Sequence, residues 1–350
     1  MAHLQHPARL GSLFAVSLVI GSALSSAALA QQTMYVAGYG GSFERLMRND
    51  IIPPFEKANN VKVEYVAGQS TATLAKLQAQ RGKQEIDIAI VDDGPMYQAV
   101  QFGFCAPIEK APVLDDVYPI AKLDEKAIAF GIGVTSPVYN AKIFKEKGWP
   151  VPTSWGDLGN SAYKGQLALL GAASTTGLHG LIMVARAEGG GEAKIDPGFV
   201  AFRDKIRPNI LTFAPSAPKL EELLQSGEIA LTVISRSRAV ALKKEGLPLE
   251  VAEPKEGAGA LMVTMCPVVD SDVAPQSQKF IQHMLSPAMQ KIFAGAGYGP
   301  VNRKTELTAD EAAGLAVGDE AVAKLAKIDW PTVNQNRAAW TQRWNREIER

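Results

Sequence analysis

Four times in 350 residues a short apolar, β-prone run stops at a cluster of Gly, Ser, Thr, Asp or Arg, and helical spacing begins at once. Residues 33–37 end in Gly38-Tyr39-Gly40-Gly41-Ser42, after which Phe43, Leu46 and Met47 recur on one helical face. Residues 86–91 stop at Asp92-Asp93-Gly94-Pro95, ahead of a helix through Phe102. Residues 166–170 run into Gly171-Ala172-Ala173-Ser174 and a helix over 175–187, and residues 229–234 run into Ser235-Arg236-Ser237-Arg238 and a helix through Leu242. Strands alternating with helices through short turns build parallel βαβ units, in which ligands gather at the carboxyl ends of the strands. The informative residues are therefore those just past each strand.

Between these units the chain changes character twice. Residues 129–139 and 260–269 are extended and rich in β-formers, and two such crossings between two α/β lobes make a hinge architecture. The expected organisation is a first lobe of residues 31–134 and 262–350, and a second lobe of residues 135–261. Residues 310–350 read as a helical tail with Trp330, Trp340 and Trp344 as anchors, expected to clamp onto the first lobe. Near the start, Val61, Val63 and Tyr65 alternate with Lys62 and Glu64 as in a half-buried strand, and Pro53-Pro54 is expected to interrupt the helix before it.

An apolar content of 47% supports a packed core, and 36 basic against 36 acidic residues leaves no electrostatic footprint for nucleic acid. The one long apolar run, residues 13–29, follows Arg9, is diluted by Gly and Ser, and closes on Ala28-Leu29-Ala30 before polar Gln31. That pattern reads as a secretory signal peptide over residues 1–30, cleaved at Ala30-Gln31, giving a periplasmic protein. Position 31 is Gln rather than Cys, so no lipid anchor is expected. Of the four His, only His179 and His283 would remain after cleavage, which excludes a His/Cys zinc cluster. Cys105 and Cys266 lie far apart in sequence; two buried free thiols are the favoured reading, with a disulfide as the alternative.

The chemistry on offer is that of binding. Gly38-Tyr39-Gly40-Gly41-Ser42-Phe43 lacks the third glycine of a dinucleotide fingerprint, so no cofactor is expected. It does supply backbone N–H groups and a hydroxyl at a helix start, suited to a polar ligand group. Ser174, Thr175 and Thr176 are capping hydroxyls, and the glycines around Ser174 are wrongly spaced for a nucleophile elbow. A secreted hydrolase using Ser174 and His179 is the competing reading from another class; it needs an orienting acid and an oxyanion site that the sequence does not identify. Asp92 and Asp93 would present negative charge from the first lobe. Arg236, at a helix start where a cation is disfavoured, would present positive charge from the second. Arg238 fits better as a solvated residue on the helix face. The expected ligand-binding set is Tyr39, Gly41, Ser42, Asp92, Asp93, Tyr97, Ser174, Thr175, Thr176, Ser235, Arg236 and Glu256.

Several segments then carry a resemblance. Tyr39-Gly40-Gly41-Ser42-Phe43, Pro152-Thr153-Ser154-Trp155-Gly156-Asp157-Leu158 with Tyr163-Lys164-Gly165, Ser226-Gly227-Glu228-Ile229-Ala230, Pro254-Lys255-Glu256-Gly257 and Gly297-Tyr298-Gly299-Pro300-Val301-Asn302 together resemble the spermidine/putrescine-type extracellular solute-binding proteins of ABC importers. The resemblance implies a two-lobe type II periplasmic-binding-protein fold with a small-molecule ligand held between the lobes. It also implies a monomer that delivers its ligand to the transmembrane subunits of an ABC permease, and no enzymatic activity. Ser235-Arg236-Ser237-Arg238 stands where polyamine receptors of this type carry aromatic and acidic residues, and the adjacent tyrosine pair of iron-binding relatives is missing. The expected ligand is therefore a small zwitterion or organic acid, with putrescine or spermidine as the alternative.

Overall fold

The computed structural model describes residues 1–3, 31–323 and 325–350; the apolar run and cleavage site of the expected signal peptide lie outside them. From residue 32 on, the chain forms one compact unit. β1 (Gln32–Gly38) leads into α1 (Ser42–Leu46), and the helical path continues through a wide turn, Met47–Ile51, into α2 (Ile52–Asn59). Pro53 and Pro54 do not break this path. They occupy the first turn of α2, where a missing N–H costs little because the preceding turn is already widened. β2 (Val61–Ala67), α3 (Ser70–Ala79), β3 (Ile88–Asp92) and α4 (Asp93–Gln101) complete the units of the first lobe, and the short β4 (Lys122–Asp124) follows.

The chain then leaves through β5 (Ala127–Asn140), a 14-residue strand. The second lobe holds α5 (Ala141–Lys147), β6 (Leu167–Leu170), α6 (Thr175–Ala187), α7 (Asp196–Ala201), β7 (Ile210–Ala214), α8 (Ala217–Ser226), β8 (Leu231–Ser235), α9 (Arg236–Lys244) and β9 (Leu249–Val251). β10 (Gly259–Pro267) returns to the first lobe and is followed by α10 (Ala274–Leu285), α11 (Pro287–Gly295), α12 (Ala309–Ala312) and α13 (Gly318–Ala323). The last helix is α14 (Trp330–Glu347).

The strands join in one sheet of order β2-β1-β3-β10-β5-β8-β6-β7, with β4 and β9 added on β5. Its flanks are parallel pairs, as the βαβ pattern requires, and its centre is antiparallel where β10 runs between β3 and β5. β5 serves both lobes: Thr135 pairs with Gly259 of β10 and with Ser235 of β8. Both expected crossings are thus found, as β5 and β10. Separate apolar cores flank the crossing. One contains Met34, Phe55, Ile90 and Phe280; the other contains Trp155, Leu181, Phe199 and Val233.

Two expectations are corrected by this packing. Trp330, Trp340 and Trp344 belong to the second core, where the Trp344 ring meets Phe202 at 4.7 Å and Phe213 at 5.7 Å. The last helix therefore lies mainly on the second lobe, while the tail before it packs on the first as expected, with Val322 in the first core. The start of α14 also touches the first lobe, where Asn334 Nδ2 donates to the Gly94 carbonyl at 3.1 Å. The reason is the aromatic surface that Phe202 and Phe213 offer to the Trp344 ring, whose burial there is strongly favourable. Cys105 and Cys266 form a disulfide rather than two free thiols. Antiparallel pairing of β10 with β3, together with the Cys105–Val268 bridge, brings their Cα atoms to 5.6 Å, a normal disulfide spacing.

Candidate functional site

Because the parallel strands point the same way within each lobe, their carboxyl ends and the following helix starts face one another. Between them lies a cleft of about 790 Å³. Its first wall is built by Tyr39, Gly40 and Gly41 ahead of α1, by Gln69, Ser70 and Thr71 at the start of α3, and by Asp92 at the end of β3. Its second wall comes from Ser174, Thr175 and Thr176 at the start of α6, Ser216 to Pro218 at α8, and Ser235 with Arg238 at α9. Helix N-termini carry partial positive charge and unpaired N–H groups, so the cleft favours negative or electron-rich ligand atoms over much of its surface.

Two carboxylates run against this, Glu44 and Asp92, and Glu44 is paired with Arg48 at 2.8 Å. The Asp92 carboxylate accepts from the Tyr39 hydroxyl at 2.6 Å and from Ser70 Oγ at 2.9 Å, and among the described residues no cation is bonded to it. Tyr39 stays a phenol, because burial and then the Asp92 charge hold its pKa well above the usual value. Arg238, by contrast, is neutralised in place by an ion pair with Glu221 of α8, and its Nη2 donates across the cleft to the Gly40 carbonyl at 3.2 Å. Gly41 has a φ of 73°, and a Cβ there would stand 2.9 Å from Arg238 Nη1, so only glycine lets the two walls meet here. Gln69 Nε2 donates to the Pro215 carbonyl at 2.6 Å, and Ser42 Oγ donates to Glu221 at 3.0 Å.

Of the expected ligand-binding residues, Tyr39, Gly41, Asp92, Ser174, Thr175, Thr176 and Ser235 line the cleft. The other five do not. Ser42 is at the seam between the lobes, on Glu221. Asp93 turns inward, accepting from Gly94 N at 3.2 Å and Met262 N at 3.5 Å; burial raises its pKa to about 7, against the effect of the Trp330 indole. Tyr97 stands exposed on α4, 43% accessible. Arg236 packs on the backbone at Gly314, and Glu256 accepts from Ser154 Oγ at 2.7 Å and Trp155 N at 3.2 Å. Helical geometry explains the exchange of arginines, because residues two apart on α9 point to different sides. Arg238 takes the place expected of Arg236.

Sequence reasoning missed Gln69, Ser70 and Thr71, although they follow β2 as the other clusters follow their strands. It also missed Ser216 beyond β7, and Tyr298, which lay in a recognised motif without an assigned role. The pairing that a hydrolase needs is not formed. Ser174 Oγ caps α6 by accepting from Gly177 N at 2.9 Å and donates to the Gly171 carbonyl, while His179 Nδ1 is 3.0 Å from Thr135 Oγ1. Burial lowers the His179 pKa to about 3, so it is neutral. Among the described residues, no group of three His, Cys, Asp or Glu is placed to hold a metal ion, and no helix is long and apolar enough to cross a membrane.

Residues 50–317 match the family of bacterial extracellular solute-binding proteins. The chain belongs to this family. The spermidine/putrescine-binding periplasmic protein 1 of Haemophilus influenzae is 23% identical over 289 residues, covering 79% of this chain and 77% of the relative. Among solved structures, the periplasmic binding protein AgtB of A. tumefaciens R10 in complex with agropinic acid superposes with a TM-score of 0.76 at 20% identity, covering 91% of this chain and 99% of that one. AfuA of Actinobacillus pleuropneumoniae, with fructose-6-phosphate bound, gives 0.72 at 21% identity over 91% and 98%. The fold is the two-lobe type II periplasmic-binding-protein fold, and the chain is an extracellular solute-binding protein.

Proposed function

We propose that this solute-binding protein captures a small solute bearing a negative group together with an amine or hydroxyl, and closes its two lobes over it. The observation that carries the reading is the setting of Asp92. Among the described residues it has no bonded cation, in a cleft whose other polar groups are helix starts, hydroxyls and two side chains already paired, Glu44 with Arg48 and Arg238 with Glu221. An ammonium or hydroxyl suits Asp92, and an acid group suits the N-termini of α3, α6 and α8. The acid and sugar phosphate bound by two structural neighbours support a ligand with a negative group. Release of residues 1–30, a monomeric periplasmic protein and delivery to permease subunits complete the proposal. Its ligand-binding set is Tyr39, Gly41, Asp92, Ser174, Thr175, Thr176 and Ser235, extended by Ser70 and Arg238.

The polyamine reading is kept as the second one because of the Haemophilus influenzae relative. Native mass spectrometry of gently purified protein, followed by calorimetry of the recovered compound, putrescine and spermidine on wild type and Asp92→Ala, decides between them. A recovered compound with an acidic group, and putrescine binding at least a hundredfold weaker, is the expected result. Tight putrescine binding that disappears in Asp92→Ala overturns the preference and restores the polyamine reading.

A further inference from the structure

The seam between α6 and α14 holds polar side chains that this reading leaves unused. Thr175 and His179 are one turn apart on α6, and Asn334 and Arg337 are nearly one turn apart on α14, so each pair shares a helix face. Thr175 is 4% and Arg337 8% exposed. Arg337 Nη2 donates to the Ala173 carbonyl at 2.9 Å, which brings α14 against the loop that caps α6. Thr175 Oγ1, His179 Nε2, Asn334 Oδ1 and Arg337 Nη1 nevertheless have no partner among the described residues. Buried polar atoms are normally paired, and a group of them beside a ligand cleft is where a ligand supplies the missing partners.

Thr175 also lines the cleft, so it joins the seam to the solute. We infer that the negative group of the solute sits at the N-terminus of α6, held by the Thr175 hydroxyl, the first-turn N–H groups and Arg337 Nη1, which makes Arg337 of the C-terminal helix a ligand-binding residue. The group is a carboxylate. With Asp92 in the same cleft, an ammonium beside it and the Arg337 guanidinium held at the Ala173 carbonyl, a carboxylate brings the four charges to neutrality, whereas a doubly charged phosphate leaves one negative charge uncompensated. An ammonium on Asp92 and a carboxylate on Arg337 then describe a compact zwitterion. This inference rests on the proposed two-sign ligand, but its test does not.

Sodium acetate is titrated into isotope-labelled full-length mature protein, and the backbone amides of Thr175 and Thr176 are followed by NMR. The expected result is a saturable shift of both amides, weakened at least tenfold in Arg337→Met and less in Arg337→Lys, with phosphate binding more weakly than acetate. Amides that do not move overturn the seat. A shift unchanged in Arg337→Met, with only the Tm lowered, makes Arg337 a structural support of Ala173 and overturns its binding role. Stronger binding of phosphate overturns the carboxylate assignment. If acetate seats here while putrescine proves to be the natural solute, the two-sign reading fails alone; if a zwitterion is recovered and acetate shifts neither amide, the seat fails alone.

Discussion

Neighbouring carboxylates, Asp92 and Asp93, lead opposite lives because a strand end turns into a helix between them. Asp92 faces the cleft with two hydroxyl donors, while Asp93 faces the protein interior and keeps its proton up to about pH 7. The consequence for stability has a definite sign. Between about pH 4 and 7 the folded protein holds a proton that the unfolded chain has released, so this group's contribution is full at low pH and is lost as pH rises through 7. Asp93→Asn is neutral throughout. Urea unfolding is therefore expected to show the variant gaining on the wild type by ~3 kcal/mol between pH 5 and 8; a difference that does not change with pH would contradict the buried, protonated state. At this scale the sequence showed which loops carry ligand groups, since the turn residues after each strand are chemically distinct. It did not show which way each side chain points. Asp93, Arg236 and Tyr97 follow strand ends that reach the cleft and carry suitable chemistry, but a step of one or two residues at a helix start is enough to turn a side chain out of it.

At the scale of elements, the strand–helix units and both crossing strands were legible, because hydrophobic spacing and turn residues are local signals. The destination of α14 was not. Three tryptophans announce that a helix is anchored, but the surface that Trp344 fills is made by Phe202 and Phe213, more than a hundred residues earlier. Trp344→Ala is expected to destabilise the protein by about 3–5 kcal/mol, read as a lower midpoint in urea, because it opens a cavity in the second core. Gly94 marks the other end of the tail. A Cβ there would stand 2.3 Å from Trp330, so Gly94→Ala is expected to cost about 1–3 kcal/mol and to displace the first turn of α14. The disulfide was equally hidden, since nothing local says that β10 returns beside the segment after α4. Reduction, or Cys105→Ser with Cys266→Ser, is expected to lower stability by about 2–5 kcal/mol in calorimetry, with the native circular dichroism spectrum retained.

For the whole molecule, the two lobes meet through few polar contacts outside the crossing strands. Arg238 to the Gly40 carbonyl, Gln69 to the Pro215 carbonyl and Arg45 to Glu245 all tie the first lobe to the second. Contacts of this kind hold a closed state lightly and can be remade, as a binding protein that must release its cargo requires. Solution scattering is expected to show a larger radius of gyration for Arg238→Ala without solute than for the wild type. Solute at about a hundred times its Kd should restore the compact form and stabilise the fold by ~2.7 kcal/mol; no compaction on saturation would count against closure. The two-lobe plan was readable from the crossings, whereas the cross-cleft bonds were not, because they join residues about 150 to 200 positions apart.

The tail adds a constraint on timing. Residues 330–347 cap the core of a lobe whose other elements were made long before, and β10 likewise completes a first lobe begun at residue 32. Neither lobe can be finished from the chain's leading portion. A growing chain thus keeps Phe202, Phe213 and the inner strands unsatisfied until its final turn of helix is available, which delays collapse into the native form until the polypeptide is whole.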